Sequence, residues 1–233
     1  LPVKWNDEQP IILDKGKVVP YVVDMTPGMK NLSENNKIRG YDPYAPALLW
    51  TSKGLSKEAT FIRTPKEEFF QIRKDGKLAL KPREIRIEQF GNPSFIGRRV
   101  NSKRFKAQTA LTYIPEGKLD FAGIVCFQND YCYVQFGKTV DKQGKVILSL
   151  KSYSSRSKKE LKDEYEYFLS DKEKKQKVYL KVEALTPEEY TFSYAFGRSK
   201  SWTVLGKVKS SLLSTATAGG FTGTTIGVYA TGE

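Results

Sequence analysis

SFIGRRVNSKRFKAQTALTYIPEGKLDFAGIVCFQNDYCYVQF, residues 94–136, sets the fold class. Phe105, Ala107, Thr109, Leu111 and Tyr113 alternate with Lys106, Gln108, Ala110 and Thr112, the period-2 pattern of a strand with one buried face. After the break Ile114-Pro115-Glu116-Gly117, residues 122–127 (AGIVCF) and 131–136 (YCYVQF) are apolar almost without interruption. Strands of that kind are covered on both faces and lie centrally in a sheet. Gln128, Asn129 and Asp130 between them tolerate turn geometry, so the pair reads as a hairpin. With a two-residue Asn129-Asp130 turn, Phe127 would oppose Cys132. That register puts the Cys126 and Cys132 sulfurs on opposite faces, so both are expected to be buried free thiols.

Working outward, the pattern stays β-rich. Asp75-Gly76 is a turn signal between Phe69-Phe70 and the strand Lys77-Leu78-Ala79-Leu80, and Ile85, Ile87 and Gln89 continue on one face. Val146, Leu148 and Leu150 point inward, as do Val178, Leu180, Val182 and Ala184. Tyr190, Phe192, Tyr194 and Phe196 form an aromatic stripe that fits either a sandwich core or a sugar-stacking platform. Trp202, Val204 and Val208 continue the meander. Residues 1–30, punctuated by Pro2, Pro10, Pro20 and Pro27, and the polar stretch 30–44 that follows, do not read as sandwich strands. The expectation is an all-β chain of two antiparallel sheets over residues 31–233, preceded by an irregular segment.

Composition narrows the chemistry. The chain has 233 residues and a formal charge of +13, with the excess Lys and Arg spread along its length. The densest run, Arg156 to Lys177, is interleaved with Glu160, Asp163, Glu164, Glu166, Asp171 and Glu173, so residues 154–177 read as a charged, solvated insertion and not as a nucleic-acid surface. No stretch approaches the roughly 18 apolar residues of a membrane helix. LPVKWNDEQP lacks a signal-peptide layout, so an exported parent would carry its signal upstream and work in a periplasm or outside the cell. Histidine is absent, which removes Ser-His and Cys-His nucleophiles and leaves a zinc site only carboxylates and two cysteines. No cofactor or metal is implied. Gly137-Lys138-Thr139 lacks the preceding glycine of a phosphate loop. With 26 acidic residues, composition cannot exclude a glycosidase pair, which needs two carboxylates about 5–5.5 Å or roughly 6.5–9.5 Å apart.

Five blocks carry a resemblance: SFIGRR at 94–99, FKAQTAL at 105–111, DFAGIVCFQNDYCYV at 120–134, YTFSYAFGRSKSWTVLG at 190–206 and GGFTGTTIGVYA at 219–230. In that order and at about that spacing they resemble the C-terminal concanavalin A-like (jelly-roll) β-sandwich of glycoside hydrolase family 43 β-xylosidases and α-L-arabinofuranosidases. The resemblance implies that residues 1–30 are the tail after a five-bladed catalytic propeller, which holds the catalytic carboxylates. It also implies a continuation past residue 230 with an acidic-aromatic closing strand. No E-x-D-x-x-E strand of a catalytic concanavalin-type sandwich is found, so no catalytic residue is expected in this chain.

The functional residues so implied lie in one loop. Gly219, Gly220 and Gly223 free the backbone around Phe221, so the loop can present that ring away from the sandwich. By resemblance Phe221, with Gly220, Thr222 and Gly223, would wall the propeller's substrate pocket; the other reading makes Phe221 a plug at the end of the core. Arg98 and Trp202 are candidate sugar or interdomain contacts, with a structural ion pair favoured for the Arg98-Arg99 pair. The expected role is a non-catalytic buttress of an enzyme acting on xylan-type glycosides, its partners being the propeller and xylan-type oligosaccharides. The alternative is an independent xylan-binding module.

Overall fold

The structure is a computed structural model that describes residues 3–13, 15–18, 47–155, 160–197, 201–220 and 222–232. It divides into two units, Leu1–Ala45 and Pro46–Glu233. In the first, β1 (Lys4–Trp5) and β2 (Pro10–Ile11) form a two-strand ladder. Its turn is closed by Asn6, whose Oδ1 accepts the amides of Glu8 and Gln9. The apolar piece Val19 to Val23 lies outside the described residues.

The second unit opens with two hairpins, β3 (Trp50–Thr51) with β4 (Gly54–Leu55), and β5 (Phe70–Ile72) with β6 (Leu78–Leu80). The sandwich follows with β7 (Ser94–Arg99), β8 (Phe105–Leu111), β9 (Phe121–Asn129), β10 (Cys132–Val140), β11 (Val146–Tyr153) and β12 (Leu161–Phe168). It is completed by β13 (Val178–Ala184), β14 (Glu189–Phe196), β15 (Thr203–Lys209) and β16 (Thr225–Thr231). One sheet has the order β12-β11-β10-β9-β16-β7 and the other β15-β14-β13-β8, with every pairing antiparallel. The all-β expectation is met: two antiparallel layers stack face to face.

The near-continuous apolar run of β9 and β10 is explained by two packed faces. Ile124, Cys126, Val134 and Phe136 meet Leu180, Val182, Phe192 and Tyr194 of the opposite sheet. Phe136 and Phe192 touch edge to face at 5.6 Å. On the other face Val125 and Tyr133, with Phe95, Phe121 and Tyr229, lie under Ile62 and Ile87. The stripe on β14 belongs to the core: Tyr190, Phe192 and Tyr194 are buried, and Phe196 packs against them.

Three expectations are corrected. Ile85, Ile87 and Gln89 form no strand; they lie in a connecting loop that drops Ile87 onto the outer face of the six-stranded sheet. The β9–β10 turn is Asp130-Tyr131, one residue later than expected, because Asn129 Oδ1 accepts the amides of both Tyr131 and Cys132. Cys132 therefore opposes Asn129, and a register shift makes Tyr133 oppose Phe127; both cysteines are buried free thiols, as expected. Finally, the charged stretch is not wholly a solvated excursion. Residues 161–168 add the edge strand β12, where Lys151 of β11 sits 2.6 Å from Glu164 and Ser152 Oγ donates to Asp163 at 2.5 Å. A short helix follows, Asp171–Lys175, with Ser170 and Glu173 forming a reciprocal capping box. Residues 156–159 of that stretch lie outside the described residues.

Candidate functional site

The segment from Ala218 to Thr224 leads into β16, and three of its glycines sit at left-handed φ: Gly219 at 75°, Gly220 at 69° and Gly223 at 71°. Side chains with a Cβ rarely adopt that region, so the loop's path depends on glycine at these positions. A Cβ built on Gly219 or Gly220 would meet nothing within 4 Å, which puts this stretch of backbone at open surface.

The described residues on both sides of the loop are nonetheless fixed to the C-terminal end of β9. Asn129 Nδ2 donates to Ala218 O at 3.0 Å. Thr222 Oγ1 donates to Gln128 O at 3.3 Å, and Thr224 Oγ1 lies 3.3 Å from Gln128 Oε1 and 3.2 Å from Leu213 O. From β7, Arg99 Nη1 donates to Gly223 O at 3.1 Å. Phe221 itself lies outside the described residues.

Beneath the loop runs an open groove of about 370 Å³, with Phe61, Arg63, Arg99, Phe127, Gln128 and Asp130 in its lining. Arg63 grips Asp130 in a two-point pair at 2.9 and 2.8 Å, and its guanidinium sits 5.6 Å from the Phe90 ring centre. Arg63 and Phe90 are the two non-glycine residues with positive φ among the described residues, at 61° and 49°. Phe90 is exposed and meets Tyr131 edge to face at 5.3 Å.

Of the remaining candidates, Arg98 forms an ion pair with Glu58 at 2.6 Å, as favoured for this arginine pair. Trp202 lies under Lys181 of β13, with Nζ 4.5 Å from the ring centre, and does not line the groove. Gly220, Thr222 and Gly223 are thus brought together with Arg99, while Arg98 and Trp202 stand apart. Sequence reasoning passed over Arg63, Gln128 and Asn129. Asn129 gave a turn signal only, and nothing in the local pattern of Arg63 points to a partner 67 positions away. The densest acidic cluster is engaged locally, Glu164 and Glu166 lying 2.6 and 3.9 Å from Lys151. Among the described residues no group of three or more Cys, Asp or Glu could hold a metal.

The family model described as the beta xylosidase C-terminal concanavalin A-like domain matches residues 50–233, and the chain belongs to that family. It is the C-terminal domain family of glycoside hydrolase family 43 xylosidases and arabinosidases. The chain is similar to the non-reducing end alpha-L-arabinofuranosidase BoGH43B of Bacteroides ovatus, 28% identical over 184 residues, covering 77% of this chain and 32% of that protein. A xylosidase/arabinosidase of Butyrivibrio fibrisolvens is 37% identical over 70 residues, 30% of this chain and 14% of that one. The chain thus spans about a third or less of the length of these curated relatives. Among solved structures, the Bacteroides ovatus xyloglucan PUL GH43B protein superposes with a TM-score of 0.74 at 24% identity, over 99% of this chain and 42% of that one. A GH43_12 protein from a capybara gut metagenome gives 0.75 at 22% identity, over 100% and 43%. At these identities the structural likeness speaks to the fold.

Proposed function

We propose that this domain is the non-catalytic partner of a five-bladed family 43 propeller, which it buttresses while its Gly220-Phe221-Thr222-Gly223 loop walls the propeller's substrate pocket. The glycosides served are those derived from xylan and arabinoxylan, and residues 1–30 are the tail leading out of the propeller. The observation that carries the reading is the loop's construction. Left-handed glycines set the path of its described residues, and hydrogen bonds tie Ala218, Thr222 and Thr224 to the end of β9 and Gly223 to Arg99 of β7, so this backbone has little entropy left to lose when it meets a partner. An enzyme gains from such a wall because excluding water strengthens every polar interaction at the reacting sugar. The burial of Tyr190, Phe192 and Tyr194 counts against a free-standing xylan module that would stack sugars on that stripe.

The test is Phe221→Ala in the complete polypeptide, with aryl xylosides and arabinosides as substrates. We expect kcat/KM to fall about tenfold, corresponding to roughly 1.4 kcal/mol of lost transition-state stabilisation. Unchanged kcat/KM would remove the pocket-wall role. The isolated chain is expected to turn over neither substrate.

A further inference from the structure

We propose that the groove beneath the Gly219–Gly223 loop is a binding site for a carboxylate-bearing sugar, a hexuronic acid branching from a glycan chain; the foregoing reading is used only to choose xylan as that chain. The groove's volume, about 370 Å³, lies toward the low end of the roughly 300–1,000 Å³ of ligand pockets, a size suited to one or two sugar residues.

Three features of the lining fix the chemistry. First, the charged side chains there are Arg63, Arg99 and Asp130, so the Arg63–Asp130 pair leaves one positive charge over. That charge is on Arg99. Its neighbour Arg98 is neutralised by Glu58, whereas among the described residues no carboxylate pairs with Arg99, whose guanidinium has five N–H donors and gives one to Gly223 O. Second, Gln128 is 2% exposed; its Oε1 is engaged by Thr224, and its Nε2 has no hydrogen-bond partner. A buried amide donor without an acceptor forfeits the hydrogen bond it had to water in the unfolded chain, a loss that a ligand oxygen would recover. Third, Phe61 and Phe127 supply aromatic lining, and Phe61 is held by Phe69 and Phe70 at 5.8 and 6.1 Å. Apolar rings beside donors suit a sugar's C–H face and oxygens; a bare inorganic anion would use only the donors.

The strained backbone at Arg63, φ 61°, is held in place by the same cluster, since its guanidinium also donates to Gly91 O at 2.9 Å. At +13, the chain as a whole attracts acidic glycans at long range, an advantage a neutral arabinoxylan would not feel.

The experiment is calorimetric titration of the 233-residue chain, at fixed ionic strength, with three probes: xylotriose carrying one glucuronic acid branch, unbranched xylotetraose, and inorganic phosphate. We expect the acidic oligosaccharide to bind at least about tenfold more tightly than the neutral one, the size of one charge-assisted contact. Arg99→Gln, on an exposed side chain, should lower that affinity about tenfold. Lys142→Gln, which removes the same charge in the β10–β11 turn, should leave it unchanged, and circular dichroism checks that both variants fold. Equal binding of acidic and neutral oligosaccharides, equal losses in the two variants, phosphate binding as tightly as the branched sugar, or no binding at all would each overturn the proposal. Because the Phe221 test reads turnover by the complete polypeptide and this one reads binding by the chain alone, either can fail without the other.

Discussion

Gly123 and Gly137 face each other across β9 and β10, and a Cβ built on either comes within 2.2 Å of a backbone oxygen on the opposite strand. Neither glycine has positive φ, so the requirement is for space and not for backbone freedom. Gly123→Ala should therefore push two central strands apart and destabilise the domain by about 2–3 kcal/mol, as overpacking of a tight interior does. An unchanged urea midpoint would mean that the sheet gives way easily there. At this scale the sequence was legible in part. Tyr190, Phe192 and Tyr194 were placed on one face by alternation alone, but core and platform could be separated only by what packs against them. A glycine needed for close approach looks the same in sequence as one in a turn, because the opposing atoms come from another strand. Arg63 and Asp130 are the same case, with partners brought together by sheet topology over 67 positions.

Among the elements, those with a clean period-2 pattern and a turn beside them were readable, and those stabilised by partners were not. β12 is the clear instance. Its sequence, LKDEYEYF, is too charged to announce a strand, yet it pairs because Lys151 and Ser152 on β11 meet its acids. The helix after it has five residues and buries none of them, far below the length that is stable alone. Lys138, fully buried on β10, donates through Nζ to Lys174 O at 2.8 Å and Gln176 O at 3.2 Å, and so satisfies the helix's last carbonyls. Burial holds its ammonium below the usual lysine range. We expect Lys138→Met to cost about 1–3 kcal/mol and to speed amide exchange over residues 171–176 while the six-stranded sheet stays protected. If the helix keeps its protection in that variant, the lysine is not what holds it.

For the whole molecule, the two cores are rich in tyrosine, and this sets the response to alkali. Burial pushes the Tyr153 and Tyr190 hydroxyls up to about 12, and Tyr133 and Tyr229 higher still. In the unfolded chain these groups ionise near 10, so above that pH the folded state holds more protons than the unfolded one. Their contribution is whole below about pH 10 and is lost as pH rises through the folded values. Thermal stability should thus be flat to about pH 9 and fall steeply beyond about pH 10, with buried tyrosinate absorbance at 295 nm appearing only as near-UV ellipticity is lost. Ionisation of all 13 tyrosines near pH 10 in an intact fold would contradict this. By itself the sequence determined the two-layer antiparallel architecture, the family and the glycine loop, because these rest on alternation, turn residues and ordered blocks that are local in the chain. Only the tertiary structure decided the second core beneath Ile62 and Ile87, the anchors of the loop, the groove under it and the pairing of Arg63 with Asp130. Each of these joins segments tens of residues apart, and side-chain geometry across such distances follows from strand order and register, which no local pattern encodes.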